Sequence, residues 1–279
     1  MDKDNYFQYI ANPKFDNVAK LQAVMSDFTY SKHAHEEFSL GVTLQGRQDF
    51  FCHDAYYKSP QGGVMVFNPD DIHDGHSGAE QNLKYVMLYV HPDEFVPAFH
   101  SLGIKNLNDV RVQNRLIDDA ALRQQIIDLS HLIEHKNFSQ IEYEHGVYQL
   151  AQSLAKHSEK NEHTINTTRI DTLLHRAKEF IHANLAVDIS IDDIAHAASI
   201  SKYHFIRLFR SQFGITPHQY VLNCRINLAR RYLDQGWSTT QSAQLAGFAD
   251  ISHLNRRFKR VYGMTPKQYQ LQRRPNSAN

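Results

Sequence analysis

His33, His35 and Glu37 recur at every second position near the start of the chain. In an extended strand that spacing turns all three side chains to one face. Further along, His73 follows a turn bounded by Pro69, with Asp74 and His76 close by. Imidazoles and carboxylates gathered in one place suit two tasks: hydrogen bonding to an organic ligand, or coordination of a divalent metal ion. Arg47 and Tyr89 are further candidates, Arg47 as partner for a carboxylate on such a ligand. A bland reading stands beside these. The chain carries 18 histidines, and Tyr85, Met87 and Tyr89 alternate as any strand would.

A second set of residues points to different chemistry. SKYHFIRLFRSQFGITPHQY (201–220) returns as DISHLNRRFKRVYGMTPKQY (250–269), with His204/His253, Arg207/Arg256, Phe209/Phe258, Gly214/Gly263, Pro217/Pro266 and Tyr220/Tyr269 each 49 apart. Once the apolar positions turn inward, the first copy shows Lys202, Tyr203, Ile206, Arg207 and Arg210 outward. The second shows Ile251, Ser252, Asn255, Arg256, Arg257, Lys259 and Arg260. A short helix exposing Arg and Asn fits the DNA major groove, where Arg pairs with guanine and Asn with adenine. For a single helix a solvated basic face would be the better explanation; two copies at fixed spacing favour DNA.

The elements that position these residues follow from pattern and punctuation. From Leu21 to His91 short β-type runs (LQAVMSDFTY, FSLGVTL, RQDFFCH, GVMVFN, LKYVMLYV) are divided by turns at Gln45-Gly46, His53-Asp54, Ser59 to Gly63 and Asn68 to Asp71. They predict a jelly roll or barrel over residues 1–105. From Asp119 the apolar period lengthens to that of a helix: Leu122, Ile126, Leu129 and Ile133, then a second helix from Ser139 to His157 burying Ile141, Val147, Leu150 and Leu154. Residues 106–157 can pack on the barrel or pair two subunits, and residues 158–168 (SEKNEHTINTT) read as a flexible linker. Residues 169–279 open with an amphipathic helix. Each repeat then reads as helix, turn, helix, started by Ser190 with Asp193 or Ser238 with Gln241, capped at the second helix by Ser201 or Asp250, stopped by Gly214 or Gly263, and restarted at Thr216-Pro217 or Thr265-Pro266.

These residues carry a family resemblance. Ser201, His204, Phe205, Arg207, Phe209, Gly214, Pro217 and Tyr220, then Gly247-Phe248, Asp250, Ser252-His253, Arg256, Phe258-Lys259, Gly263, Thr265-Pro266 and Tyr269, resemble the signature of the AraC/XylS transcription regulators over about 100 residues. The resemblance implies two helix-turn-helix units joined by a long helix, reading successive major grooves. It places base reading on Tyr203, Ile206 and Arg207, and on Ile251, Ser252, Asn255 and Arg256. It also implies an organic effector in the N-terminal barrel, a homodimer and contact with RNA polymerase. One departure is Ser242-Ala243 where the family has Ile-Ala. The histidines separately resemble the cupin motifs, with a Pro-to-His interval one residue short.

The formal net charge of zero hides an asymmetry. Residues 1–168 carry 14 Lys and Arg against 23 Asp and Glu, whereas residues 169–279 carry 16 against 7. A basic C-terminal part suits nucleic acid. Cys52 and Cys224 are isolated, as in a reducing cytoplasm. No leader-like segment and no 18-residue apolar stretch is seen, so a cytoplasmic protein without membrane contact is expected.

The sequence therefore predicts an α+β multidomain chain: a cupin-like β-barrel, then helices, then an all-α domain with two helix-turn-helix units. It is expected to be a DNA-binding regulator controlled by a small molecule. His33, His35, Glu37, Arg47, His73, Asp74 and Tyr89 would line the effector site, with no catalytic residue, metal or cofactor assigned. A cupin-type metalloenzyme, or a regulator controlled by a protein partner, are the alternatives.

Overall fold

Alternation of side chains along β9 (Leu83–Val90) divides the N-terminal part into layers. A computed structural model describes residues 5–12, 15, 17–53, 55–78, 82–134, 139–158 and 169–273. It separates into two units, Met1–Asn161 with Leu271–Asn279, and Glu162–Gln270. The expected linker falls, apart from Ser158, outside the described residues.

In the first unit, β9 lies within a six-stranded sheet of order β1-β2-β9-β4-β7-β10. Its partners are β1 (Tyr6–Ala11), β2 (Val18–Met25), β4 (Phe38–Gln45), β7 (Val64–Phe67) and β10 (Leu116–Ile117). A second, four-stranded sheet runs β3-β8-β5-β6, from β3 (Thr29–His33), β8 (His73–Ser77), β5 (Arg47–Cys52) and β6 (Ala55–Pro60). Among the described residues the paired strands are all antiparallel.

Val86, Leu88 and Val90 of β9 join one core with residues of α1 (Pro92–Ser101), α2 (Ala120–Glu134) and α3 (Gln140–His157). Tyr85, Met87 and Tyr89 take the opposite face, toward the layer between the sheets. The stripe Leu122, Ile126, Leu129 and Ile133 is buried as expected, and α2 packs on β4 and β9. Full burial of each such side chain is worth roughly 1.5–3 kcal/mol.

Two expectations need correction. Pro92–Ser101, inside the stretch 1–105 assigned to the barrel but past the strands expected from Leu21 to His91, is helical; His91 caps its start and Pro92 begins it. In α3, Ile141 is 77% exposed, and Tyr143 takes the buried place. Tyr143 stacks on Phe15 with ring centroids 3.6 Å apart. Its hydroxyl donates to Glu94 at 2.8 Å, and these two contacts fix which face of the helix is buried.

The described residues from 169 to 273 form helices and turns: α4 (Arg169–Ala183), α5 (Ile191–Ala197), α6 (Lys202–Phe213), α7 (Pro217–Asp234), α8 (Thr239–Leu245), α9 (Ile251–Tyr262) and α10 (Pro266–Arg273). The repeat appears as α5–α6 and α8–α9, with α7 joining them and packing on α8 and α9. Capping boxes form at Ser190–Asp193, Thr216–Gln219 and Ser238–Gln241. Gly214 (φ 68°) and Gly263 (φ 74°) end α6 and α9 in the left-handed region. Ser201 occupies the N-cap of α6, but its side chain makes no capping hydrogen bond, contrary to expectation; Asp250 does cap α9, accepting from His253 N at 2.7 Å. Gly247 turns between α8 and α9 at φ 77°, where a Cβ would run into the Leu185 carbonyl oxygen.

Candidate functional site

Three imidazoles meet between the two sheets. His33 ends β3 and pairs in register with His73, which begins β8. The strand expected to carry His33, His35 and Glu37 together stops at His33; His35 and Glu37 lie in the link to β4. A register shift between Tyr30 and His33 lets both of those side chains face inward. His35 is nevertheless brought back, its Nε2 standing 3.1 Å from His33 Nε2. Ring centroids lie 4.5 Å apart for His33–His73, 4.8 Å for His33–His35 and 5.5 Å for His35–His73.

Each of two rings is oriented by the carbonyl two residues upstream. His33 Nδ1 donates to Ser31 O at 2.7 Å and His73 Nδ1 to Asp71 O at 2.8 Å. Phe67 stacks on His73 at 3.9 Å, and the Tyr89 ring meets His35 edge-on at 4.8 Å. Burial, reinforced by the charge of His73, pushes His33 down to about 3; burial likewise holds His73 down to about 4. Both rings are therefore neutral near pH 7, with the lone pair on Nε2, which in His33 faces Nε2 of His35. Tyr89, Glu37, Ser39 and Gln48 are buried in the same unit, and the hydroxyls of Tyr30 and Tyr85 meet at 2.7 Å.

Two expected residues do not join this cluster. Along β5, Gln48, Phe50 and Cys52 are buried, so Arg47 takes the other face, where it binds Asp49 through Nε (2.7 Å) and Nη2 (2.9 Å). Asp74 follows His73 directly in β8 and so also faces away, accepting from Phe51 N at 2.7 Å.

A supporting network was not legible in the sequence. Asp71, fully buried, accepts from Asn68 N, from Asn68 Nδ2 and from Arg111 Nη2, and its carboxylate also stands 2.9 Å from Arg115 Nε and from His53 Nε2. Burial raises its carboxyl, but His53, Arg115 and Arg111 together outweigh that and hold it below the usual range. Arg111 and Arg115 come from the stretch between α1 and α2, a pairing that no local pattern announces.

In the second unit the residues expected outward on α6 and α9 differ in exposure. Tyr203, Arg207 and Arg210 are exposed on α6, as are Ile251, Ser252, Arg256, Lys259 and Arg260 on α9. Ile206, Asn255 and Arg257 are half-buried. Lys202 is drawn into an ion pair with Asp192 at 2.6 Å. Arg257 Nε faces His253 Nε2 at 3.4 Å. Ser242 and Ala243 sit fully inside α8, and the Ser242 hydroxyl has no hydrogen-bond partner. Among the described residues no helix is long and apolar enough to cross a membrane.

Residues 21–151 match the family model of the AraC-like ligand binding domain, and residues 194–272 match that of a helix-turn-helix domain. The HTH-type transcriptional regulator YbfI of Bacillus subtilis is 26% identical over 235 residues, 84% of each chain. The probable transcriptional regulator LumQ of Photobacterium leiognathi is 29% identical over 252 residues, covering 87% of this chain and 90% of that one. Among solved structures, ToxT of Vibrio cholerae superposes with a TM-score of 0.60 at 13% identity, covering 92% of this chain and 98% of that chain. With a ligand-binding unit, a duplicated helix-turn-helix unit and regulators matching along most of its length, the chain belongs to the AraC/XylS family of transcription regulators.

Proposed function

We propose that the chain is a homodimeric, cytoplasmic, non-enzymatic regulator whose α6 and α9 read two successive major grooves, and whose N-terminal unit holds an organic effector between its sheets. The observation that carries this reading is the duplicated exposed face, Tyr203 and Arg207 on α6 matched by Ser252 and Arg256 on α9. Arg207 and Arg256 are assigned to bases, with Tyr203, Ile206, Ile251, Ser252 and Asn255 beside them. Lys259 and Arg260 are assigned to phosphates. The names of the curated relatives support a regulator over a cupin-type enzyme.

For the effector, His33, His35, His73, Glu37 and Tyr89 supply polar contacts, while Met87, Phe50 and Phe67 supply apolar surface. That mixture suits a ligand with an apolar body and a polar head. ToxT has been solved with an unsaturated fatty acid, a ligand of that general description. Contact with RNA polymerase follows from the regulatory role. Selection of bound sequences from a random DNA pool tests the reading: two short conserved blocks about one helical turn apart are expected. A pool that yields no conserved block, while the chain binds DNA of any sequence, overturns it.

A further inference from the structure

We propose that His33, His35 and His73 form a binding site for one divalent transition-metal ion of the zinc kind. One ring nitrogen from each lies within 4.8 Å of the other two, and all three residues are buried. His33 and His35 already present Nε2 to Nε2 at 3.1 Å. Two nitrogens held at about 2.0–2.1 Å by one ion stand about 2.9 Å apart at a right angle and about 3.3 Å apart at a tetrahedral angle. The observed separation falls between those limits. Drawing in the most distant nitrogen takes about 1.5 Å of movement, within reach of small side-chain rotations.

Two of the three rings are also set in the tautomer that a metal requires. Nδ1–H of His33 and of His73 is committed to a backbone carbonyl, which leaves the lone pair on Nε2. Metal-bound histidine is oriented in this way, its second nitrogen anchored on a carbonyl or carboxylate. Phe67 and Tyr89 restrict the rings further. A simple hydrogen-bonded imidazole pair accounts for His33 and His35; it gives no reason for a third imidazole from another strand to converge on the same point.

A second cluster in the same unit shows the contrast. Cys52, His53 and Asp71 also come within 4.8 Å of one another. There, however, Asp71 already faces the cations Arg111 and Arg115, which repel a metal ion, and burial pushes the Cys52 thiol up to about 12, far from thiolate. At the three-histidine point, imidazole donors favour zinc, nickel or copper over calcium or magnesium. Three protein donors leave a coordination position for water or a ligand oxygen. The inference stands apart from the effector reading, because the ion is measured without any effector.

The test uses the full chain, stripped with a chelator and titrated with Zn²⁺, and with Co²⁺ for its visible ligand-field bands. One ion per chain is expected, with affinity reduced at least about tenfold in His33→Gln and in His73→Gln. His76→Gln, altered on the opposite face of β8, is expected to bind as the wild type does. X-ray absorption at the zinc edge of the wild type, expected to count three imidazoles, decides the matter if the variants fail to fold. No stoichiometric ion in the wild type, fewer than three imidazoles at the edge, or unchanged affinity in both folded variants overturns the proposal.

Discussion

His33 and His73 stand opposite one another in the antiparallel β3–β8 pair, and each gives its Nδ1 proton to the carbonyl two residues upstream. The matching geometry rests on unlike supports. Ser31, which anchors His33, belongs to strand β3. Asp71, which anchors His73, lies in a turn held by its own buried carboxylate against Asn68, Arg111 and Arg115. Loss of that carboxylate should thus disturb one histidine and spare the other.

Asp71→Asn removes the charge while keeping the shape. The Arg115 side chain, 6% exposed, then faces a neutral amide, and stranding a buried charge of this kind costs about 3 kcal/mol. The single tryptophan, Trp237, lies in the second unit. Hydrogen exchange should show β8 opening far more readily in the variant, while tryptophan fluorescence melts unchanged. Equal protection of β8 in both proteins would refute the anchoring role.

Acid should weaken the first unit through Asp119. Its carboxylate accepts from Ala121 N (2.9 Å) and Leu122 N (3.1 Å) at the start of α2, and meets Lys156 Nζ at 3.1 Å and His157 Nε2 at 2.9 Å on α3. The backbone bond from Leu122, then His157 and Lys156, hold it well below the usual carboxylate range. The folded state therefore takes up its proton at lower pH than the unfolded state does. The stabilisation is complete above about pH 4 and is lost as pH falls through the folded value. Urea midpoints measured from pH 5 downward should decline less steeply in Asp119→Asn than in the wild type; identical slopes would remove Asp119 from the acid response.

Ser242 replaces an aliphatic residue of the first repeat, Ile194, at a fully buried position. Its hydroxyl has no partner, and an unsatisfied buried polar group costs roughly 1–3 kcal/mol. Ser242→Ala should raise the stability of the second unit by about 1 kcal/mol, seen as a later urea transition in Trp237 fluorescence, with operator affinity unaltered. A destabilised variant would mean that the hydroxyl is satisfied in solution.

The parts of this chain that could be read beforehand are those where cause and effect lie close together in sequence. Ser190–Asp193 and Ser238–Gln241 boxes, and the left-handed Gly214 and Gly263, are complete within a few residues. The apolar stripe of α2 needs only its own period. The inter-sheet site was legible in part, since the alternation of His33 and His35 survives even though the strand ends at His33. Asp74 and Arg47 were misplaced because a one-residue step along a strand reverses the face, and the face of β5 and β8 is set by pairing with distant strands. The Asp71 network and the contact of Tyr143 with Phe15 and Glu94 depend on residues far apart in sequence, so no window could contain them.

On α6 and α9 the basic residues divide by how firmly they are already engaged. Arg207 and Arg256 are exposed and occupy equivalent positions of the repeat, as guanine readers would. Replacing either with Ala should cost roughly 1–3 kcal/mol and relax specificity at one operator position, the two positions lying about one helical turn apart. Lys259 and Arg260 are exposed toward the end of α9, suited to phosphates; their removal should weaken all sequences together and flatten the salt dependence by about one unit for each charge. Lys202, held by Asp192 at 2.6 Å, should contribute less than Lys259 does, because DNA must compete with an existing partner. Equilibrium binding of each variant to specific and random DNA at several salt concentrations separates the three classes. Unchanged specificity in both Arg207→Ala and Arg256→Ala would rule out base reading by these arginines, and a salt slope unaffected by Lys259→Ala and Arg260→Ala would rule out their phosphate contacts.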